Sequence, residues 1–296
     1  MSRKLAFLTM DSLEDFVCYD RLAIEPLAAL GWHAEEIPWR NPDINWNDYA
    51  AVIIRSPWDY QENQDAFLRC LERIEASDTL LENPLPLVKW NFQKTYLRDL
   101  EQNGMPIVPT LWASNFEPSQ IKAWQTQLKS TELVIKPVVG AAAHNTWRMN
   151  AKLSDSTLEE ISKAHKDGHF LVQPFLPQIA SEGEFSLFYF NGEFSHAILK
   201  RPKPGDFRSQ EEYGSDLISI TPETNLQNAG ERCLSSLQQC GHEIPLYARV
   251  DLIRLEEGTD GFAIMELELI EPSLYFNMDG AAADRFAQAI NTRLRA

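Results

Sequence analysis

The sequence lacks any long apolar run and has few basic residues, and both absences restrict the classes of protein to consider. No stretch approaches the roughly 20 apolar residues of a membrane-spanning helix, so no membrane partner is expected. Lysine and arginine total 27 against 43 aspartate and glutamate residues, which gives a formal net charge of -16. That balance argues against binding of nucleic acids, whose phosphates demand a basic surface, but leaves room for a local basic pocket.

Cysteine is also scarce, and its spacing is not that of a metal site. The four cysteines, Cys18, Cys70, Cys233 and Cys240, show no Cys-x-x-Cys pairing of the zinc-binding type. The apolar run after Lys4 is too short for a signal peptide, so a cytoplasmic protein with reduced thiols is predicted. A length of 296 residues and a hydrophobic fraction of 44% predict a globular chain of two or three lobes.

The first part of the chain alternates strand and helix patterns. Strands are predicted at 4–10, 34–37 and 50–55, and helices at 20–30 and 64–74. This alternation predicts an α/β fold with a parallel sheet, whose ligands bind at the carboxyl ends of the strands. The tip that follows the third strand is therefore a candidate substrate-binding position.

Two interpretations of this tip, Arg55-Ser56-Pro57-Trp58-Asp59-Tyr60, remain open from the sequence. Arg55 is suited to a substrate carboxylate and Asp59 to a substrate ammonium, with Trp58 beside them, a combination that fits an amino acid. Alternatively, Arg55 and Asp59 pair with each other while Trp58 packs in the core.

A proline-rich linker at 82–86 marks a boundary, and the rest of the chain is richer in strand patterns. The Asn191-Gly192 pair predicts a tight hairpin turn. Helices are predicted at 91–102, 121–128 and 224–239, and strands at 105–110, 133–137, 170–173, 185–190, 194–199, 246–253 and 262–269.

Chemistry-bearing residues concentrate in three places in this second part. Lys136 ends an apolar strand before the small residues Gly140-Ala141-Ala142-Ala143, which suits phosphate binding, although a surface lysine is the alternative. Four cations in the stretch 200–208 suggest an anion site, or else a mobile charged loop.

The third place is an acidic strand near the end of the sequence. Glu266 and Glu268 share one face of a strand, about 7 Å apart, and Asp251 lies on the preceding strand. Such carboxylates repel each other unless a cation or water lies between them. Oxygen ligands suit magnesium, and magnesium suits phosphate transfer. The alternative is the solvated outer face of an edge strand.

The order of these parts resembles the ATP-grasp superfamily, and in particular prokaryotic glutathione synthetase, from roughly Asn83 to Ala296. Gln173-Pro174-Phe175-Leu176-Pro177-Gln178-Ile179 with Gly183-Glu184 is similar to its Gln-x-x-Leu-Pro-x-Ile-x-x-Gly-Asp segment. Lys200-Arg201-Pro202 and the following Gly205 to Gln210 are similar to its Arg-Ile-Pro and Gly-Glu-x-Arg-x-Asn. Glu266-Leu267-Glu268 with Pro272 resembles its metal-binding strand.

The front of the chain has a resemblance of its own. Arg-Ser-Pro-Trp-Asp-Tyr, followed by Asn-Pro and Lys-Trp-Asn-x-x-Lys-x-Tyr-Leu, is similar to a group of small bacterial ATP-grasp proteins that includes the D-cycloserine-forming ligase. Together the resemblances imply an N-terminal pre-ATP-grasp substrate domain at 1–83. They imply a linker helix and lid lobe at 84–172, and a catalytic lobe at 173–296.

The resemblance also implies roles for individual residues. Lys94 and Lys136 would contact nucleotide phosphates beneath a loop from Gly140 to Asn145, and Glu184 would reach the ribose. Arg208, with Lys200, would stabilise the transferring phosphoryl group. The adenine would lie against Gln173, Phe175 and Leu176, and the metal would be held by Asp251, Glu266 and Glu268.

Three positions depart from the glutathione synthetase pattern. Ser186 replaces an arginine and Gln210 an asparagine, which leaves the substrate open. Glu268 replaces a metal-binding asparagine, which adds a charge and leaves the number of ions open.

The activity that the resemblance implies is an ATP-dependent carboxylate–amine ligase that forms an acyl phosphate with Mg²⁺, or alternatively Mn²⁺. Its expected partners are ATP, a small amino-acid-like carboxylate and an amine. A kinase that stops at phosphorylation and a nucleotide-binding regulatory module without turnover are the alternatives. Intermolecular ligation or ring closure, and a monomer or a homodimer, stay open at this point.

Overall fold

A computed structural model describes most of the chain. The described residues are 3–140, 143–150, 153–166, 168–209, 211–256, 258–259 and 261–295. Ala141, Ala142 and Gln210, which the sequence analysis named, lie outside these ranges. Within the described ranges, every helix is too short or too polar to cross a membrane.

The N-terminal part forms the predicted parallel sheet. Its strand order is β2-β1-β3-β4, and all neighbouring strands run parallel. Strand β4 was not predicted, because it is only three residues long. The elements are β1 (Arg3–Thr9), α1 (Ile24–Ala29), β2 (Trp32–Pro38), β3 (Ala51–Ser56), α2 (Gln64–Glu75) and β4 (Leu80–Glu82).

Two short helices, α3 (Leu85–Asn91) and α4 (Tyr96–Gln102), follow where one helix from 91 to 102 was predicted. The prediction was wrong because the backbone turns between them, where the Lys94 N–H donates to the Val138 carbonyl at 2.7 Å. The predicted strand at 105–110 was also wrong. Pro106 and Pro109 lack N–H donors, so only one bridge, Ile107 with Ile264, forms there.

A small antiparallel sheet comes next, in the order β5-β8-β6-β7. Helices α5 and α6 cover its apolar face through Trp124 and Ile161, which pack with Phe170. The elements are β5 (Leu111–Ser114), α5 (Ile121–Leu128), β6 (Leu133–Pro137), β7 (Trp147–Met149), α6 (Asp155–Ala164) and β8 (His169–Pro174).

The larger antiparallel sheet has the order β11-β10-β9-β12-β13. The Asn191-Gly192 turn between β9 and β10 has φ of 50° and 82°, the left-handed pair that a tight hairpin requires. The elements are α7 (Gln178–Ser181), β9 (Glu184–Phe190), β10 (Glu193–Arg201), β11 (Asp216–Ile220), α8 (Thr224–Gln239), β12 (Tyr247–Arg254), β13 (Phe262–Glu268) and α9 (Ala282–Arg293).

Helix α9, the last helix in the described part of the sequence, packs against β1, the first strand. Phe286 and Ile290 on this helix are fully buried in one cluster with Leu5 and Phe7 of β1. The other face of the large sheet packs against α4 and α8. The parallel sheet and the large sheet therefore share a core, and their loops converge on one cleft.

Candidate active site

A cavity of about 230 Å³ lies where the three sheets meet. Its walls come from the ends of β6 and β8, from β9, β10, β12 and β13, and from the segment after β3. Most of the predicted site residues line it: Trp58, Lys94, Lys136, Gly140, Gln173, Phe175, Leu176, Glu184, Lys200, Arg208, Glu266 and Glu268. Arg55, Asp59 and Asp251 are not among its lining residues.

Two lysines converge on one carboxylate in this cavity. Lys136 Nζ lies 2.9 Å from Glu266 Oε1, and Lys94 Nζ lies 3.4 Å from Oε2 and 3.1 Å from the Gly140 carbonyl. Burial opposes ionisation of Glu266, but Lys136 and Lys94 outweigh it and hold the pKa of this carboxyl well below its usual range. Lys136 is only 7% exposed, so the surface-lysine interpretation is wrong.

Strand register brings a second set of charges together. In the large sheet Arg249 pairs with Glu268, Asp251 pairs with Glu266, and Lys200 pairs with Glu184 across neighbouring strands. The interpretation of the acidic strand as a solvated outer face is therefore wrong.

Arg249 occupies the centre of this network. Its Nε and NH2 donate to the two carboxylate oxygens of Asp251 at 3.0 and 2.9 Å, and its NH2 also donates to Glu268. Asp251 accepts a further bond from Ser186 and lies 3.5 Å from Lys200. The sequence analysis missed Arg249, although its spacing of two from Asp251 on a buried strand places both on one face.

The three predicted metal ligands differ in their access to the cavity. Glu266 and Glu268 line it, whereas Asp251 is 2% exposed and bound by Arg249. Among the described residues no three acidic, histidine or cysteine side chains are arranged to hold an ion. Burial, together with Asp251 and Glu266, raises the pKa of Glu268 to about 8 against the opposing effect of Arg249. A cation that prefers oxygen ligands, such as magnesium, would relieve the repulsion between these carboxylates. The carboxylate oxygens therefore fit a magnesium site.

The opposite end of the cavity is apolar. Val108, Ile179 and Ile253 form a buried cluster against which Phe175 and Leu176 pack. The Phe175 N–H is bonded to the Glu132 carbonyl at 2.8 Å, and the Arg148 guanidinium lies 3.5 Å from the centre of the Phe175 ring. This end of the cavity can accept a flat aromatic ring.

Polar side chains at that end are already engaged. Gln173 Nε2 donates to Thr110 Oγ1 at 2.9 Å, so Gln173 offers its backbone to a ligand more readily than its side chain. Glu184 forms an ion pair with Lys200. Burial raises the pKa of Glu184, while Lys200 opposes this effect.

The cationic stretch 200–208 contributes two of its four cations to the cavity. Lys200 and Arg208 line it, whereas Arg201 and Lys203 are exposed. Arg208 is held by two bonds to Asp206, at 3.0 and 2.7 Å, and its guanidinium lies 3.7 Å from the centre of the Tyr213 ring. These contacts fix the orientation of the loop that carries Arg208.

Both sequence interpretations of the tip after β3 need correction. Arg55 is fully buried and donates to Asp20 Oδ1 at 3.0 Å and to the Pro272 carbonyl at 2.8 Å. Asp59 accepts from Trp39 Nε1 at 2.7 Å and pairs with Arg40. Neither residue reaches the cavity, and they do not pair with each other. Trp58 does line the cavity and donates to the Glu271 carbonyl at 2.9 Å.

Replacing Arg55 with Met should therefore reduce stability. The substitution leaves Asp20, itself 4% exposed, as a buried charge without its partner. We expect a loss of about 3 kcal/mol or more in the free energy of unfolding, measured by urea denaturation. Arg40→Met, which removes a more exposed ion pair, should cost under about 1 kcal/mol. Equal losses in the two variants would contradict a structural role specific to Arg55.

The comparisons with protein families divide the chain in two. Residues 5–83 match the family described as D-cycloserine synthetase DcsG, N-terminal domain. Residues 104–244 match the family described as prokaryotic glutathione synthetase, ATP-grasp domain. These are the two families that the sequence motifs resemble.

Individual proteins match either nearly the whole chain or part of it. The chain is 30% identical over 288 residues to the cycloserine biosynthesis protein DcsG of Streptomyces lavendulae, covering 92% of each chain. It is 30% identical over 186 residues to glutathione synthetase of Prochlorococcus marinus (strain MIT 9313), covering 62% of this chain and 56% of that one. The crystal structure of D-cycloserine synthetase DcsG superposes with a TM-score of 0.85 at 28% identity, over 98% of this chain and 99% of that one.

Proposed function

The chain belongs to the ATP-grasp ligases that include DcsG, and we propose that it joins a small amino-acid-like carboxylate to an amine through an acyl phosphate. The observation that supports this most directly is the single cavity in which Lys94, Lys136, Lys200 and Arg249 meet a row of carboxylates beside an apolar slot. Such a site can bind the base, the phosphates and a metal together.

In this proposal the nucleotide lies along the cavity. The adenine occupies the slot at Phe175 and Leu176 and bonds to backbone groups next to Gln173. Lys136 and Lys94 leave Glu266 and bind phosphate oxygens, since an ammonium gains more from a doubly charged phosphate than from one carboxylate.

Phosphoryl transfer then needs positioned positive charge. A substrate carboxylate attacks the γ-phosphoryl group and displaces ADP, which leaves the acyl phosphate. The Arg249 fork, with Arg208 and Lys200, stabilises the charge that spreads over the transferring oxygens. Glu266 and Glu268, with Asp251 behind them, would hold Mg²⁺, which supplies charge neutralisation of the phosphates. An amine next attacks the acyl phosphate and releases inorganic phosphate, and the closed cavity excludes the water that would hydrolyse it.

A screen of ADP release tests this proposal. The full chain is incubated with ATP and Mg²⁺ and with amino acids and small carboxylic acids, alone and paired with amines. We expect acid-dependent ADP formation, with inorganic phosphate released only when an amine is present or when the acid carries its own nucleophile. ADP formation without any phosphate release would indicate a kinase. Tight ATP binding with no acid-dependent turnover would indicate a regulatory module.

The loop from Gly140 to Asn145 is expected to close over the nucleotide. Of the described residues in it, Gly140, Ala143 and His144 line the cavity. Lys94 donates to the Gly140 carbonyl, and its transfer to phosphate would free the loop to fold over the nucleotide, whose contacts would then protect the loop amides. Hydrogen exchange should therefore slow in this loop on addition of a non-hydrolysable ATP analogue, while exchange in the Asn191-Gly192 hairpin stays unchanged. Unchanged exchange in the loop would count against a closing role.

A further inference from the structure

The cavity contains a carboxylate, Glu271, that has no role in the proposed reaction. Glu271 lines the cavity three residues after Glu268, where the chain leaves β13. Glu184, Glu266 and Glu268 each form an ion pair with a cation. Among the residues that the structure describes, no ion pair joins a lysine or arginine to Glu271. Its carboxylate accepts a bond from the neutral Tyr60 hydroxyl and one from a backbone N–H, while Lys94 and Arg249 act on it from a longer distance.

Two aromatic side chains that follow β3 contact Glu271. Tyr60 bonds to its carboxylate and Trp58 to its backbone carbonyl, and both line the cavity, as do Phe16 and Tyr275. The Phe16 and Trp58 rings are 5.5 Å apart, and the Trp58 indole is fixed by its bond to the Glu271 carbonyl. Tyr275 is held at φ 44°, a left-handed conformation that bulky residues rarely adopt. A carboxylate among aromatic rings attracts a cation, because both the charge and the ring faces are negative.

We propose that Glu271, beside Trp58 and Tyr60 in the cavity, binds the α-ammonium group of the carboxylate substrate. This inference rests on the proposed function, and it specifies an amino acid in place of a simple carboxylic acid.

The location of Glu271 supports this assignment. Arg249 and Glu268 lie next to it along the strand ends, so an amino acid bound at Glu271 directs its carboxylate toward the phosphoryl-transfer end. Burial raises the pKa of Glu271 to about 7, against the opposing bond from the Tyr60 hydroxyl, and a bound ammonium group would offset this cost of burying the carboxylate.

The experiment compares amino acids with matched acids that lack the amino group, such as alanine with propionate and glutamate with glutarate. ADP release is measured for the full chain and for its Glu271→Gln, Tyr60→Phe and Glu25→Gln variants. The KM for ATP and the circular dichroism spectrum report binding of nucleotide and folding. Glu25 is exposed on α1 and outside the cavity, so it provides the matched control.

We expect the wild-type chain to have a kcat/KM about 30-fold or more higher for amino acids than for the matched acids without an amino group. This ratio corresponds to the free energy of one charged hydrogen bond. Glu271→Gln should raise the KM for the amino acid by about 30-fold and remove most of this preference, with the KM for ATP within about twofold. Tyr60→Phe should give a smaller change of the same kind, and Glu25→Gln none.

Two results would overturn the inference while leaving the proposed function in place: equal stimulation of the wild type by acids without the amino group, or an unchanged preference in Glu271→Gln. If no acid stimulates ADP release at all, the proposed function fails, and the inference fails with it. A loss of discrimination with intact ATP binding is a result that a purely structural role for Glu271 would not produce.

Discussion

Glu266→Gln should abolish ATP-dependent turnover, lowering kcat by about 1,000-fold or more, while the protein stays folded. Glutamine has nearly the same shape but lacks the charge that both Lys94 and Lys136 contact in the cavity. Glu266 also lines the cavity, and its side chain is 25% exposed, against 3% for Asp251. Acid-dependent ADP release and thermal unfolding measure the two parts of this expectation.

The metal and the nucleotide can be separated in the same variant. ATP should still bind to Glu266→Gln, because the substitution removes the carboxylate that pairs with two lysines. Calorimetry should show Mg²⁺ binding to the wild type only in the presence of an ATP analogue. In Glu266→Gln the same measurement should show weaker Mg²⁺ binding. Glu36→Gln, which removes a carboxylate paired with Arg21 outside the cavity, is the matched control and should retain full activity. Wild-type ADP release in Glu266→Gln would remove Glu266 from the site.

Arg249→Lys is the second substitution with a large expected effect, a loss of kcat of about 100-fold or more. Lysine keeps the positive charge, so Asp251 and Glu268 do not become uncompensated buried charges. A single ammonium cannot reproduce the fork that bonds both carboxylates and that, in the proposed mechanism, also contacts a phosphoryl oxygen. Steady-state ADP release measures the loss of kcat, and urea denaturation measures the free energy of unfolding of the variant.

The same strand provides a control for Arg249. Arg254 is 9% exposed, close to the 8% of Arg249, and it pairs with Glu182 and Glu223 outside the cavity. Arg254→Lys should therefore reduce stability to a similar extent while kcat stays within about threefold of the wild type. If both lysine variants keep their activity, Arg249 has only a structural role.

Most of the longer strands, helices α1, α2, α5 and α8, and the class of enzyme could be predicted from the sequence, because they depend on local patterns and short motifs. Strands β5, β7 and β11 and helices α6 and α9 were not predicted. Lys136 was recognisable from the resemblance to the ATP-grasp pattern, since the strand and the small residues around it left a surface lysine open. Arg249 was not, because its importance arises from pairing opposite Glu268 on a neighbouring strand. Register between strands depends on contacts across the whole sheet, and a single sequence pattern does not contain it.

Arg55 shows the opposite error. Its place at the end of a buried strand correctly located the carboxyl edge of the sheet, but not the direction of the side chain. Arg55 lies over the rings of Tyr247 and Phe286, which come from distant parts of the chain. The boundaries at 83 and 172 stay predictions.

The packing of α9 against β1 has a consequence for the order in which the chain can fold during its synthesis. The first strands leave the ribosome long before Phe286 and Ile290, the residues that complete their apolar face. A fragment ending at Asn83 would expose Leu5 and Phe7 to water, although a family boundary falls at that residue. We therefore expect that the unit recognisable as a sequence module does not fold by itself. Its last structural part is encoded some two hundred codons downstream, within the range 282–293.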